Sequence, residues 1–388
     1  MAASPKLSAR TAHLRQASLL RTLTDRVSAF RDGINLGQGV CDLDMPEQLA
    51  DATIRSIRES RATYTPFSGI EPLRRQIAER MERRYHLSYA VDEIVVTVGA
   101  SAALSATFLT LLDPGDSVVL FEPFYPYHDA AARLAGARVT TIPEPESGGD
   151  PNWESVRAAL ADGARIVVLN TPANPGGHVW TREQLTRLAS LVADRDAYVV
   201  TDEIYEDLVF DGRTHLPPAA LPELHPRTVT ISGLSKAYSI TGWRLGWLAA
   251  PRELAAAIGP VFDTLCVCAP RPLQEGAAEA LRTIPESYYE DLCARYQRRR
   301  DRLARALAGG GFRPRTPAGA YYMLADYRDR YGAIPSAEAC FRLLDDLHLA
   351  AIPAEVFYAG EAPTVLRFHF AVEERALDEV ARRLSAGL

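Results

Sequence analysis

Lys236 stands among small residues in the run Ser232-Gly233-Leu234-Ser235-Lys236-Ala237-Tyr238-Ser239-Ile240-Thr241-Gly242-Trp243-Arg244-Leu245-Gly246, directly after the apolar stretch Thr228 to Ile231. A lysine amine condenses with an aldehyde only when part of it is neutral, and desolvation or a nearby cation lowers its pKa to that end. Small neighbours let a flat group approach the backbone, and Arg244, further along the run, offers a planar fork for a phosphate. An aldehyde that also carries a ring and a phosphate is pyridoxal 5'-phosphate. The plainer reading of the run is a solvated lysine in a Gly/Ser-rich turn.

Four other segments offer groups to the same ligand. Val98-Gly99-Ala100-Ser101-Ala102 reads as a strand ending in glycine and opening a helix. Free N–H groups and the positive dipole end make an anion site there, and the Ser101 hydroxyl adds a donor; otherwise the segment is an ordinary strand–helix turn. In Asn170-Thr171-Pro172-Ala173-Asn174-Pro175-Gly176-Gly177 the two prolines are expected to hold the loop extended. Asn174 can donate an amide hydrogen to an oxyanion, whereas Asn170 reads as structural. Val199-Val200-Thr201-Asp202-Glu203-Ile204-Tyr205 sets an acid at the carboxyl end of a buried strand, where open α/β sheets gather ligand-binding groups. Asp202 beneath a pyridine nitrogen would keep it protonated and the ring electron-withdrawing, with Tyr205 reaching the ring's phenolic oxygen. The competing role for Asp202 is a helix N-cap. Tyr125, in Pro123-Phe124-Tyr125-Pro126-Tyr127, can stack on a flat ring, while Phe124 reads as core.

These groups need a scaffold, and the pattern between residues 90 and 250 supplies one. Apolar runs at 93–98, 117–121, 138–142, 165–169, 197–201, 228–231 and 245–250 read as strands. Several lack polar alternation, as when helices cover both faces of a sheet. Helical stretches at 100–112, 127–135, 153–160 and 181–195 lie between them, the last opening on a Thr181–Gln184 capping box. Such alternation predicts a right-handed α/β sheet. Beyond Pro251 the pattern turns helical, with a long helix over 287–308, then short strands at 320–325, 349–352 and 365–370 among helices at 336–347 and 373–384. The expected division is a large domain over 46–280 and a smaller α+β domain made of 1–45 and 281–388.

Bulk properties exclude other classes. With 388 residues, 47% hydrophobic and 24% charged, the chain is ordinary globular protein. A net charge of -6 disfavours a nucleic-acid partner. The basic run Arg295 to Arg302 falls in a helical pattern and is expected to form a solvated face. Five cysteines without a CxxC pair fit reduced thiols and neither a disulfide framework nor a metal site. The absence of a long apolar run argues against a signal peptide or membrane span, and the expected location is the cytoplasm.

The motifs, taken in order, resemble the fold-type I enzymes of the class I/II (aspartate aminotransferase-like) PLP-dependent aminotransferase family. They are NLGQG at Asn35 to Gly39, YTPFSGIEPLR at Tyr64 to Arg74, VGAS, EPFYP, NTPANPGG, TDEIY, the SGLSK to GWRLG block and LRFHFA at Leu366 to Ala371. The resemblance spans nearly the whole chain. It implies an α/β fold whose large domain holds a mostly parallel seven-stranded sheet. It also implies an aminotransferase moving an amino group between an L-amino acid and a 2-oxo acid. Lys236 would hold the cofactor and shuttle protons, Asp202 would pair with the ring nitrogen, and Asn174 and Tyr205 would bond its O3' atom. Tyr125 would stack on the ring. The phosphate would lie among Gly99, Ala100, Ser101, Ser235 and Arg244, with Tyr64 reaching in from a second subunit, which implies a homodimer. Arg367 would clamp the substrate α-carboxylate, helped by the Gly39 backbone and Asn174.

Three positions depart from the family pattern. Gly233 stands where many relatives carry a phosphate-binding serine, leaving Ser232 or Ser235 to substitute. Cys41 replaces a frequent proline, and Arg271 lies in a Pro-rich segment where it is either solvated or a second anion site. The nearest rival is a same-fold enzyme of elimination, cyclisation or C–C bond formation, decided by groups around Cys41, His128, Arg271 and His369. A regulator with a fused DNA-binding module lacks room before the glycine motif, and a dehydrogenase lacks a GxGxxG turn. A neutral or aromatic amino donor is the mild preference, because no second substrate arginine is securely placed.

Overall fold

The computed structural model describes residues 17–143 and 149–386, with Ser8 and Thr11, so most of the amino terminus and part of the Pro143 to Pro151 loop lie outside the described residues. Seven strands form one sheet in the order Ile94–Thr97, Gly246–Ala249, Thr228–Gly233, Tyr198–Asp202, Ala164–Asn170, Ser117–Phe121 and Arg138–Ile142. All run the same way except Gly246–Ala249, which is antiparallel to both neighbours. The period of two divides the apolar residues between the sheet's faces. Val118, Leu120, Ile166 and Val168 pack with Phe108, Ile258 and Phe262 on one side. Val119, Val167 and Leu169 pack with Trp153, Leu185 and Leu188 on the other. Both faces are thus covered by helices, which accounts for the unbroken apolar runs. The Arg182–Val192 helix begins with the expected Thr181–Gln184 capping box.

The reversed strand explains why Lys236 and Arg244 belong to one site. Gly233 pairs with Gly246, so the connection between them leaves the carboxyl edge of the sheet and returns to it. Gly99 and Tyr125 follow the carboxyl ends of parallel strands at that same edge, and Asn170 and Asp202 are themselves such ends.

Downstream, the helices Arg252–Cys266, Arg271–Thr283 and Glu286–Gly309 precede a four-stranded antiparallel sheet ordered Ile352–Pro353, Val365–His369, Tyr322–Asp326 and Arg313–Arg315. Ile34–Asn35 pairs parallel with Leu349–Ala350 in a separate two-stranded sheet, and Leu349–Ala350 leads directly into Ile352–Pro353 of the four-stranded one. No described helix is long and apolar enough to cross a membrane.

Two expectations need correction. The basic run is not wholly a solvated face: Arg299 and Arg300 are 5% and 3% exposed. Arg299 donates to Asp42 at 2.7 Å, and Arg300 forks onto both oxygens of Asp211 at 2.7 Å, so carboxylates from outside the helix draw the two inward. The Asn170 to Gly177 loop is not extended either. Ala173 donates to the His178 carbonyl at 2.9 Å and Gly177 to that of Ala173 at 2.8 Å, folding the loop back on itself. The Thr171–Pro172 and Asn174–Pro175 bonds are both cis.

Candidate active site

The half-buried Lys236 amine lies over two aromatic rings, 5.9 Å from the centre of Tyr205 and 5.7 Å from that of Tyr321. Tyr205 donates to the Tyr322 hydroxyl at 3.1 Å. Burial, and then the neighbouring Tyr322, push the Tyr205 hydroxyl far above the ordinary tyrosine range, so it stays protonated and able to donate. Tyr322 in turn carries the Arg367 guanidinium on its face at 4.3 Å, with Phe357 at 4.9 Å from the same group. Arg367 donates to Asn174 Oδ1 at 2.9 Å and to the Gly37 carbonyl at 2.6 Å. Asn170 completes the link, accepting from the Asn174 N–H at 2.7 Å and donating to the Asp202 carbonyl at 2.9 Å. Its structural reading therefore stands.

Asp202 is 8% exposed and bonds His128 Nε2 at 2.9 Å through one oxygen. The other accepts the Ile204 N–H at 3.3 Å, and a turn, not a helix, follows. Asp202 is thus no helix N-cap. Tyr125 sets its ring edge-on to His128, centres 5.4 Å apart, while Phe124 is buried in the core of the sheet. In the sequence His128 stands only as one group around the site. The available signal was its spacing, since three residues past Tyr125 places it on the same side of the Pro126–Leu134 helix start. Tyr321, Tyr322 and Phe357 carry no sequence signal of this kind; the second sheet and the turn beside it bring them in.

At the phosphate end, Gly99 has φ +74° and caps the Ala100–Leu111 helix. A Cβ there would lie 2.5 Å from Arg244 Nη2, and one on Gly246 would lie 2.6 Å from the Ala100 nitrogen. Bare backbone thus lets the guanidinium and the helix start converge. Arg244 itself sits at φ 55°, its Nη1 donating to the Thr241 carbonyl at 3.0 Å. Gly233 faces Gly246 so closely that a Cβ would meet its Cα at 3.0 Å, which gives the departure from serine a packing reason. Ser232 cannot substitute: its hydroxyl is turned to the Glu203 carbonyl at 3.3 Å and Glu206 at 3.1 Å. The hydroxyls of Ser101 and Ser235 have no such engagement among the described residues. This donor set fits pyridoxal phosphate, with an amine for the aldehyde, a helix start with Arg244 for the phosphate and a buried acid for the ring nitrogen.

Gly39 lies where a Cβ would come within 2.3 Å of the Tyr322 hydroxyl, so this position must be bare. Cys41 contacts the Lys236 carbonyl through sulfur at 3.8 Å, and burial pushes its thiol pKa up. Arg271 is not in a solvated loop but opens the Arg271–Thr283 helix, donating to the carbonyls of Tyr64 at 2.8 Å and Thr63 at 3.3 Å. Tyr64, whose carbonyl Arg271 holds, is 75% exposed.

His369, two residues beyond Arg367, is fully buried and bonds the Asn35 carbonyl at 3.0 Å through Nε2. Burial, then Arg367 beside it, push its pKa down to about 3. The folded state therefore takes up its proton later than the unfolded chain does. That contribution is complete above the ordinary histidine value and fades as pH falls toward 3, by a few kcal/mol at most. His369→Gln, which keeps a donor for Asn35, is expected to flatten the fall of the unfolding midpoint between about pH 6.5 and pH 4, measured by thermal scans.

A family model described as aminotransferase class I and II matches residues 31–384. The chain is 35% identical over 379 residues to a probable N-succinyldiaminopimelate aminotransferase of Mycobacterium tuberculosis, covering 94% of each. It is 33% identical to the methionine aminotransferase of Escherichia coli, covering 94% of this chain and 95% of that one. The solved structure of the Mycobacterium tuberculosis N-succinyldiaminopimelate aminotransferase superimposes with a TM-score of 0.93 at 33% identity, over 99% of this chain and 100% of that one. These relatives bear aminotransferase names, which supports transamination over elimination, cyclisation or C–C bond formation. The chain belongs to the class I and II aminotransferases, enzymes that use pyridoxal 5'-phosphate to pass an amino group between an amino acid and a 2-oxo acid.

Proposed function

We propose that this aminotransferase takes neutral L-amino acids, aromatic or otherwise apolar, as donors, and works as a cytoplasmic homodimer with shared active sites. The observation that carries the reading is Arg367, a cation only 6% exposed with no carboxylate partner among the described residues. A buried guanidinium faced only by neutral acceptors and aromatic rings is short of an anion, and a substrate α-carboxylate supplies one. Arg271, the other candidate cation, is held by two backbone carbonyls and by Glu275 at 3.4 Å, so nothing here favours a donor with a second carboxylate. The walls around Lys236 and Arg367 are Tyr205, Tyr321, Tyr322 and Phe357, which suit an apolar side chain.

Bound in this site, the cofactor supplies an aldehyde for the substrate amine and a ring that accepts electrons. Lys236 would hold it through Nζ and, once displaced, would carry the proton from the substrate Cα to the carbon that had borne the aldehyde. Asp202, fixed by His128, would keep the ring nitrogen protonated, Asn174 and Tyr205 would hold the ring oxygen, and Tyr125 would lie against the ring. Gly99, Ala100, Ser101, Ser235 and Arg244 would hold the phosphate.

The dimer reading rests on exposed apolar residues near Tyr64. Ile54 and Ile57 are 46% and 62% exposed on the Glu47–Glu59 helix, which packs on the Arg271 helix, and Phe67 and Val267 are 39% and 48% exposed. Such a patch suits a second copy, whose phosphate site Tyr64 would enter. A cytoplasmic location accords with five unpaired cysteines. The same proposal divides the chain into 46–280 and the joined pieces 1–45 and 281–388.

A panel of L-methionine, L-phenylalanine, L-aspartate and L-glutamate, scored by the rate at which each bleaches the visible absorbance of the loaded enzyme, tests the donor class. Methionine and phenylalanine are expected to lead aspartate by about tenfold or more in kcat/KM. A lead for aspartate or glutamate would sink it.

A further inference from the structure

We propose that Tyr321 is a positioning residue for the substrate carboxylate, acting through the Gly39 peptide. This rests on the reading above, in which Arg367 and the Gly39 backbone receive that group.

The segment from Asn35 to Val40 is fastened at nearly every polar backbone atom. Asn35 Oδ1 accepts from the Gly37 and Gln38 N–H groups at 2.9 and 3.0 Å. The Gly37 carbonyl accepts from Arg367 at 2.6 Å. Val40 donates to the Gln38 carbonyl at 2.8 Å, closing a three-residue turn on Gly39. The Gly39 carbonyl accepts from the Tyr321 hydroxyl at 3.0 Å. Of the N–H groups from Leu36 to Val40, that of Gly39 alone has no partner among the described residues, and it stands where Tyr322 allows no side chain. A free donor at the centre of a fully bonded turn, on the segment that Arg367 grips, is a group kept for an acceptor.

Tyr321 fixes the aim of that donor. It is 0% exposed, and its ring stands edge-on to Tyr205 with centres 5.1 Å apart, close to the Lys236 amine. Its hydroxyl is pushed far above the ordinary tyrosine range by burial, and so remains a donor at every working pH. The Gly39 turn is therefore referenced to the same ring cluster that frames Lys236. Without the hydroxyl, the Gly39 carbonyl loses its anchor, and the turn can swing its N–H away from the carboxylate held by Arg367.

Tyr321→Phe keeps the ring and removes the hydroxyl that anchors Gly39. The expected result is a KM for L-phenylalanine raised about five- to tenfold, the equivalent of one hydrogen bond, with kcat within about twofold. A role confined to stability would lower the unfolding midpoint and the yield of active enzyme but leave KM alone. Binding of 3-phenylpropionate to the loaded enzyme, followed by calorimetry, gives a readout that needs no turnover. Its Kd should weaken by the same factor, while that of 3-phenylpropan-1-ol, which lacks the carboxylate, should not change. Unchanged 3-phenylpropionate affinity in Tyr321→Phe, or equal weakening for the alcohol, overturns the proposal. Failure of the wild type to deaminate any amino acid of the panel would instead count against the donor reading, and leaves the carboxylate comparison standing.

Discussion

Lys236→Ala is expected to yield a folded protein that develops no visible absorbance with pyridoxal phosphate and loses transamination by on the order of a thousandfold or more. The size of the effect follows from two tasks resting on one atom. Nζ both links the cofactor and carries the proton between carbon atoms, so its removal abolishes the link and leaves the proton to water. No neighbour can take over. The chain has only one other lysine, Lys6, outside the described residues, and the groups around Nζ are tyrosines whose hydroxyls burial holds protonated. The scarcity of lysine also makes the test unusually clean. Borohydride reduction of the loaded wild type followed by peptide mapping should label Lys236 and not Lys6; label on Lys6, or a normal spectrum in the variant, would refute the role. The fold should survive, because Lys236 makes no ion pair among the described residues and the bonds from Tyr238 to Leu234 and from Ile240 to Ser235 hold the turn through backbone atoms.

What was legible in the sequence, and what was not, divides along the two sheets. The large sheet could be read almost strand by strand because the faces of its inner strands are buried, so several of them announce themselves as short, unbroken apolar runs. Its ligand groups were legible for a related reason: Gly99, Asn174, Asp202 and Lys236 each lie within a few residues of a strand's carboxyl end, and an α/β sheet collects those ends. The reversed strand Gly246–Ala249 could not be told from a parallel one by periodicity, yet its direction is what returns Arg244 to Lys236. The second sheet is a different matter. Tyr321 and Tyr322 come from a segment more than eighty residues beyond Lys236, and their contacts with Gly39, Tyr205 and Arg367 depend on tertiary closure that no local pattern encodes. Arg299 and Arg300 failed for the opposite reason. A run of arginines on a helix reads as solvent-facing until the carboxylates of Asp42 and Asp211, remote in sequence, are known to meet it.

Arg367→Met should separate binding from stability more sharply than any other single change. Arg367 is buried, has no carboxylate partner among the described residues and leaves its Nε without an acceptor, an arrangement that costs free energy in the folded protein. Methionine keeps most of the volume between Tyr322 and Phe357 and removes the charge, so the unfolding midpoint is expected to be no lower than that of the wild type. The substrate carboxylate then loses a charged, two-pronged partner in a site shielded from water. Truncating one member of such a pair costs about 2–5 kcal/mol, so KM for amino acids and 2-oxo acids should rise about a hundredfold. Because the interaction exists before and throughout the reaction, kcat should fall far less than kcat/KM. Arg367→Lys tests the geometry: it restores the charge without the planar fork, and should recover only part of the lost affinity while reintroducing the cost of an unpaired cation. An unchanged KM in Arg367→Met would remove the carboxylate from this position. A midpoint well below that of the wild type would mean that the guanidinium serves the fold, through Asn174 and Gly37, before it serves the substrate.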